Sequence, residues 1–291
     1  MRYVMYNDLM TPTNTAFQPS VRVKDAAPFV KWVGGKRALL PELAARYPAR
    51  FNRYFEPFLG GGAVFFHLQP ERAILADFNA ELVETYTAVR DEVDSLIRHL
   101  ADHRNDEDYY YALRAQDPAG LEPLQRASRL IYLNRTCFNG LYRVNARGGF
   151  NVPFGKHKNP TICNEPGLRA ASLALQGTAL HHRSYAKILD EAAAGDFVYF
   201  DPPYHPRNTT SNFTSYTAGS FSEADQAALR DTFRALADRG CKVMLSNSDT
   251  PLIRDLYADF HVEVVMAPRF VNRDATKRGP VSELVVRNYR R

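Results

Sequence analysis

Residues 53 to 77 constrain the fold more than any other stretch of this chain. Arg53 to Phe58 has the character of a strand, and Leu59-Gly60-Gly61-Gly62 ends it. Ala63 to Leu68 reads as a helix, and Ala73 to Ala76 is a short apolar strand that stops at Asp77. A helix over Ala80 to Arg90 follows. This order is that of a nucleotide-binding α/β unit, whose ligands sit at the carboxyl ends of the strands. The alternation returns downstream, where Phe197 to Phe200 reads as a buried strand ending at Asp201. Ser222 is placed to cap a helix that runs to Arg239 and stops at Gly240. Lys242 to Ser246, His261 to Met266 and Ser282 to Asn288 read as strands, the last two able to pair across a polar loop. Ala38 to Tyr47 reads as a helix ahead of the first strand.

Between the two α/β stretches the pattern changes. Helical spacing dominates first, including Leu121 to Arg135, and short alternating runs around Arg147-Gly148-Gly149 predict a β-hairpin. The expected division is a catalytic domain over 28–91 and 176–291, an insertion over 92–175, and an N-terminal extension over 1–27. The 291 residues suffice for one large α/β domain carrying such an insertion.

Composition narrows the partners. A net charge of +5 and a pI near 9.0 favour polyanions, although many mildly basic proteins bind none. The three cysteines, Cys137, Cys163 and Cys241, form no Cys-x-x-Cys pair, so no zinc site or disulfide framework is expected, and a reducing cytoplasm is. No apolar run reaches the length of a membrane span, and the N-terminus lacks a secretory apolar core. His181-His182 has no ligand partners at metal spacing and reads as surface or core filling.

Three candidate sites end predicted strands. In Glu56 to Gly62 the glycines let a ligand approach the backbone; a ligand-free tight turn is the plain alternative. Asp77 is placed to accept both hydroxyls of a ribose, or merely to sit before the helix cap at Asn79. In Asp201-Pro202-Pro203-Tyr204 two prolines stiffen a turn and lack N–H groups, leaving carbonyls as acceptors. Asp201 adds a second acceptor and Tyr204 a flat face, which is what an exocyclic amino group needs to be held for alkylation.

The Asp-Pro-Pro-Tyr box resembles the catalytic motif of amino-methylating DNA methyltransferases. Lys31-Trp32-Val33-Gly34-Gly35-Lys36 resembles their first cofactor motif. Asn134-Arg135, Asn139 to Arg143, Phe150 to Gly155, Asn212 to Tyr216 and Ser246 to Thr250 extend the likeness. From Pro28 to Tyr289 the chain is similar to Dam-type DNA adenine-N6 methyltransferases, the alpha-ordered D12 class. The resemblance implies a Rossmann-like sheet that uses S-adenosylmethionine, without a metal, and an inserted helical and β-hairpin domain that recognises double-stranded DNA. It implies cofactor contacts from Trp32, Lys36, Asp77 and Asp201, and a catalytic centre of Asp201, Pro202, Pro203 and Tyr204.

For DNA it implies an arginine, Arg143, reading guanine. Leu141 and Pro153 are placed against a thymine methyl, Lys31 against another guanine, and Phe138 as a wedge, with Asn139 and Lys156 in the same surface. A phosphate contact for Arg143 and a core position for Phe138 remain open. Arg147, Lys158, Arg207, Arg269, Arg273, Lys277 and Arg278 are further basic loop residues, solvated or flanking a groove. The expected reaction is direct transfer to adenine N6, within GATC, on a flipped base. The expected place is the cytoplasm of a prokaryotic or virus-infected cell. Lys156-His157 replaces the arginine and aromatic residue common in the family, which leaves one inner base pair of the site open. The alternatives are an N4-cytosine methyltransferase and a DNA-binding relative without activity. Cys137 lacks the setting of a cytosine-C5 nucleophile and reads as core.

Overall fold

A computed structural model describes residues 22–145, 147–207, 221–267 and 280–290. Asn212 to Tyr216, Arg269, Arg273, Lys277, Arg278 and most of the N-terminal extension lie outside the described residues.

Among the described residues, seven strands form one sheet. They are β1 (Tyr54–Glu56), β2 (Ala73–Asp77), β3 (Ala179–His182), β4 (Phe197–Phe200), β5 (Lys242–Ser248), β6 (His261–Ala267) and β7 (Val281–Arg287). Their spatial order is β3-β2-β1-β4-β5-β7-β6. Pairing is parallel from β3 to β5, while β7 runs antiparallel to both β5 and β6. The chain winds outward in one direction from β1 and in the other from β4, so the crevice between their carboxyl ends is the switch point where α/β sheets bind ligands.

Side-chain alternation sorts the strands between two cores. Tyr54, Phe197, Tyr199, Met244 and Val285 face one, and Phe55, Val198, Phe200, Leu245 and Val286 face the other. Helices α1 (Leu40–Ala44), α2 (Ala63–Leu68), α3 (Ala80–Asp91), α4 (Val93–Ala101), α6 (Pro123–Thr136) and α7 (Glu165–Leu175) contribute to the first core, while α5 (Glu107–Ala115) sits beside α6. Helices α8 (Glu223–Asp238) and α9 (Pro251–Leu256) cover the second. The 92–175 segment is not set apart from the sheet, because Leu96, Leu100, Leu130, Ile131 and Leu168 pack in the same core as α3. A smaller cluster of Tyr110, Tyr132, Leu133, Cys137 and Val152 lies under the hairpin.

Ser222 caps α8 through a reciprocal bond pattern with Asp225, as the sequence predicts. Where the predicted bounds differ, the causes are local. The helix expected over Ala38–Tyr47 is a short 3-10 turn, Lys36–Leu39, followed by α1, whose first turn contains Pro41. β1 stops at Glu56 because Pro57 has no N–H for the ladder. The sequence places His181 and His182 beside a strand; both lie within β3, a short edge strand with little apolar patterning to fix its bounds. The predicted hairpin is a tight connection with isolated bridges only, Val144 to Phe150 and Cys137 to Phe154, rather than two full strands. Asn145 Oδ1 accepts from the N–H groups of Arg147 and Gly149 and closes its turn. No helix among the described residues is long and apolar enough to cross a membrane.

Candidate active site

The carboxyl ends of β1, β2 and β4 open into one cleft of about 1180 Å³. Trp32, Lys36, Asp77, Asp201, Pro202, Pro203 and Tyr204 all line it, so the two loops singled out in the sequence and the upstream Trp-Lys segment converge. A cleft of this size exceeds the usual small-ligand range of about 300–1,000 Å³ and has room for more than one ligand.

One wall is the glycine turn. Gly60 and Gly62 have φ of +48° and +66°, a region that glycine enters without strain. Gly60 has no room for a side chain, since a Cβ there would lie 2.8 Å from Trp32 Cδ1. Trp32 in turn stacks on Tyr142 with centroids 4.7 Å apart. Asp77 closes the turn from β2: its Oδ2 accepts from Gly60 N at 2.9 Å and its Oδ1 from Asn79 N at 2.9 Å. Asn79 caps α3 by accepting from Leu82 N. Asp77 therefore orders the loop while retaining lone pairs for a ligand. Burial raises its pKa against the pull of those N–H bonds.

The opposite wall is the Asp201–Tyr204 turn. Lys36 is 6% exposed and its Nζ lies 2.7 Å from Asp201 Oδ1. The ammonium also sits 4.6 Å from the centroid of the Tyr204 ring. Burial pushes the Asp201 carboxyl up to about 6, with Lys36 opposing that and Glu283 adding to it. Tyr204 donates its hydroxyl to Glu283 Oε2 at 2.8 Å, which fixes the ring from β7. Glu56, at the end of β1, accepts from Tyr54 Oη and Phe65 N and is pushed up to about 8 by burial.

The prolines' carbonyls are not equivalent, contrary to the expectation that those of the turn stay free. Pro203 O accepts from Gln226 Nε2 at 2.9 Å, whereas Pro202 O accepts no hydrogen bond among the described residues. Glu283 and Gln226 were missed in the sequence. Glu283 is hidden in an alternating strand, but Gln226 left a trace as a polar residue in line with the apolar stripe Leu229, Phe233 and Leu236 of α8.

The cleft fits S-adenosylmethionine on these grounds: a side-chain-free glycine wall against an aromatic ring, an acid at the end of β2, and acidic groups opposite for a cationic ligand. Among the described residues, no group of three or more His, Cys, Asp or Glu is arranged to hold a metal ion.

The residues singled out for DNA lie on the surface beside the cleft, carried by the C-terminus of α6 and the hairpin. Phe138 is 51% exposed, so a core role for it is ruled out. Asn139 follows it with φ of +58°. Lys31 packs its stem over Gly140, whose missing Cβ would fall 2.2 Å from Lys31 Cδ. Buried Asn134 ties the two segments together by bonding Lys31 N, Lys31 O and Gly140 O. Arg143 is exposed, and its guanidinium donates to Asn151 Oδ1 and Asn151 O across the hairpin. Leu141 is half-buried and Pro153 exposed. Lys156 is exposed, 3.6 Å from Glu107. Cys137 is buried, and burial pushes its thiol up to about 11, which suits packing rather than nucleophilic attack.

The family model described as D12 class N6 adenine-specific DNA methyltransferase matches residues 32–269. A Type II methyltransferase of Lactococcus lactis subsp. cremoris, M1.LlaDCHI, is 44% identical over 270 residues, covering 90% of this chain and 95% of that protein. M.MjaIII of Methanocaldococcus jannaschii, also a Type II methyltransferase, is 37% identical over 288 residues, covering 91% and 100%. The DNA adenine methylase of Escherichia coli K12 is 36% identical over 261 residues, covering 88% and 93%. With this sheet order, this cleft and a match across most of its length, the chain belongs to the D12 class N6 adenine-specific DNA methyltransferases.

Proposed function

We propose that the protein methylates adenine N6 within GATC in double-stranded DNA, on a base turned out of the helix, with residues 92–175 as the recognition insertion. The cofactor supplies an electrophilic methyl group on a sulfonium. The Gly60 backbone would form its wall, Trp32 and Lys36 would sit beside its methionine part, Asp77 would accept from its ribose hydroxyls, and Asp201 would lie where it meets the target base. Asp201 and the Pro202 carbonyl would accept the two amino hydrogens and take the nitrogen lone pair out of conjugation; the cofactor would supply the methyl group and leave as the thioether, and one N6 proton would depart to solvent. Tyr204, held by Glu283, stacks on the base and offsets part of the few kcal/mol that base extrusion costs. Catalysis is then alignment and electrostatic placement, with no covalent enzyme intermediate.

The observation that carries this reading is the convergence in one cleft of the Asp201–Tyr204 turn with the Gly60–Asp77 loop. On the DNA side it is supported by the exposed Phe138, Asn139, Arg143 and Lys156 beside that cleft. Phe138 fills the gap left by the extruded base, Arg143 and Lys31 contact guanines, and Leu141 and Pro153 face thymine. The test is methylation of duplex DNA with labelled cofactor, followed by nucleoside analysis and modification-sensitive sequencing. Label in N6-methyladenine at GATC supports the proposal. Label in N4-methylcytosine, or DNA binding without label, rejects it in favour of one of its rivals.

A further inference from the structure

The Asp201–Tyr204 turn lacks the usual means of holding its own shape. Pro202 and Pro203 have no N–H groups, so the turn has carbonyls but few backbone donors of its own. Its restraint comes from outside. Gln226 on α8 donates from Nε2 to Pro203 O at 2.9 Å. Its Oε1 accepts from Asn247 Nδ2 at 3.0 Å. Asn247 Oδ1 then accepts from His205 N at 3.2 Å and from Ser248 N at 2.8 Å. Ser248 Oγ donates to His205 O at 2.6 Å and completes the tie to β5.

Gln226 and Asn247 are fully buried. A buried primary amide is costly unless its groups are bonded, and an apolar residue would continue the α8 stripe without that cost. What the amide adds is the engagement of one particular carbonyl. Gln226 does not line the cleft, so it touches neither cofactor nor base directly.

We infer that Gln226 is a positioning residue for methyl transfer: by occupying the Pro203 carbonyl, it fixes the turn so that the Pro202 carbonyl is the one left for the target amino group. The inference rests on the proposed reading of Asp201 and Pro202 as the acceptors of the amino hydrogens. Loss of the bond lets the turn shift by a fraction of an ångström, enough to misalign an in-line transfer without removing any binding group.

Two variants test it. Gln226→Met keeps the length and cannot donate. It is expected to lower single-turnover kcat by about 10- to 100-fold, with KM for cofactor and for DNA within about threefold of the parent. Gln226→Glu adds a signature that simple destabilisation would not produce. Ionised, it has no proton for Pro203 O; protonated, it donates there and still accepts from Asn247. The ratio of its kcat to that of the parent therefore rises as pH falls from about 9 to about 6, while the Met ratio stays flat. If Gln226→Met does not fold, the pH dependence of the Glu ratio decides alone. A Met variant with parental kcat, or a flat Glu ratio, overturns the inference. Asp201→Ala in the same assay separates the two levels. If it transfers methyl normally, the reading of the site has failed. If it is inactive while Gln226→Met is normal, only the role of Gln226 has failed.

Discussion

Replacing Lys36 by methionine removes the counter-ion of Asp201 and should move the pH dependence of catalysis. Opposite charges 2.7 Å apart attract by roughly 6 kcal/mol at an effective dielectric constant of about 20. Desolvation of the ammonium and relaxation around the vacated space cancel much of that. A neighbouring cation typically moves a carboxylate by about 1–3 pH units, so a shift of about two is expected. In the parent, burial holds Asp201 up to about 6 even with Lys36 beside it. In the proposed role Asp201 must be ionised to accept an amino hydrogen, so parental activity is expected to rise with pH through about 6. In Lys36→Met the same limb should lie near pH ~8, leaving activity about tenfold lower at neutral pH and recovering as pH rises further. The assay is single-turnover methylation of duplex DNA at saturating cofactor across pH ~5 to ~9.5, with melting curves to show that the variant is folded. An acid limb that stays near 6 in the variant would refute the electrostatic reasoning, whatever the loss of rate.

Three further outcomes follow from the same geometry. Burial raises Glu56 from 4.5 to about 8, so its stabilising share is present below pH 4.5 and is lost as pH rises toward 8. Glu56→Gln should therefore melt higher than the parent at pH ~9, by at most ~5 kcal/mol of stability, and about equally near pH ~4.5; a difference independent of pH would contradict this. Gly60→Ala places a Cβ 2.8 Å from Trp32 Cδ1 at a φ of +48°. Titration calorimetry should show cofactor affinity at least about tenfold weaker, and parental affinity would mean that this wall is not the cofactor's. Arg143→Ala should weaken specific DNA binding by about 1–3 kcal/mol and relax the preference at one guanine, read by fluorescence anisotropy on matched and altered duplexes. Equal weakening on all sequences would make Arg143 a phosphate contact.

The parts of this molecule legible in its sequence are those governed by local rules. β2 ends on Asp77 and β4 runs directly into Asp201 after apolar runs, Ser222 caps α8, and Gly60 to Gly62 mark the turn; each follows from propensity, capping or backbone freedom, and each is where expected. The bounds of β3 were illegible because a four-residue edge strand has too little periodicity to fix them. The glycine wall of the cleft was legible only in part. Trp32 could be singled out, but its stacking on Tyr142 joins residues more than a hundred positions apart and exists only in the folded chain. The same holds for Glu283 against Tyr204, and for Gln226 and Asn247 behind the prolines. Phe138 shows the converse, since its sequence allowed both core and surface and tertiary packing left it exposed.

In the proposed mechanism Asp201 grips the adenine amino group during transfer. Rapid-quench measurement of one turnover on a GATC duplex, with Asp201→Ala saturated in both cofactor and DNA, tests it most directly. Loss of one preorganised electrostatic contact predicts a rate lower by at least about 10²–10³-fold, with N6-methyladenine as the parental product. A rate within a few-fold of the parent, at equal occupancy, would contradict the account.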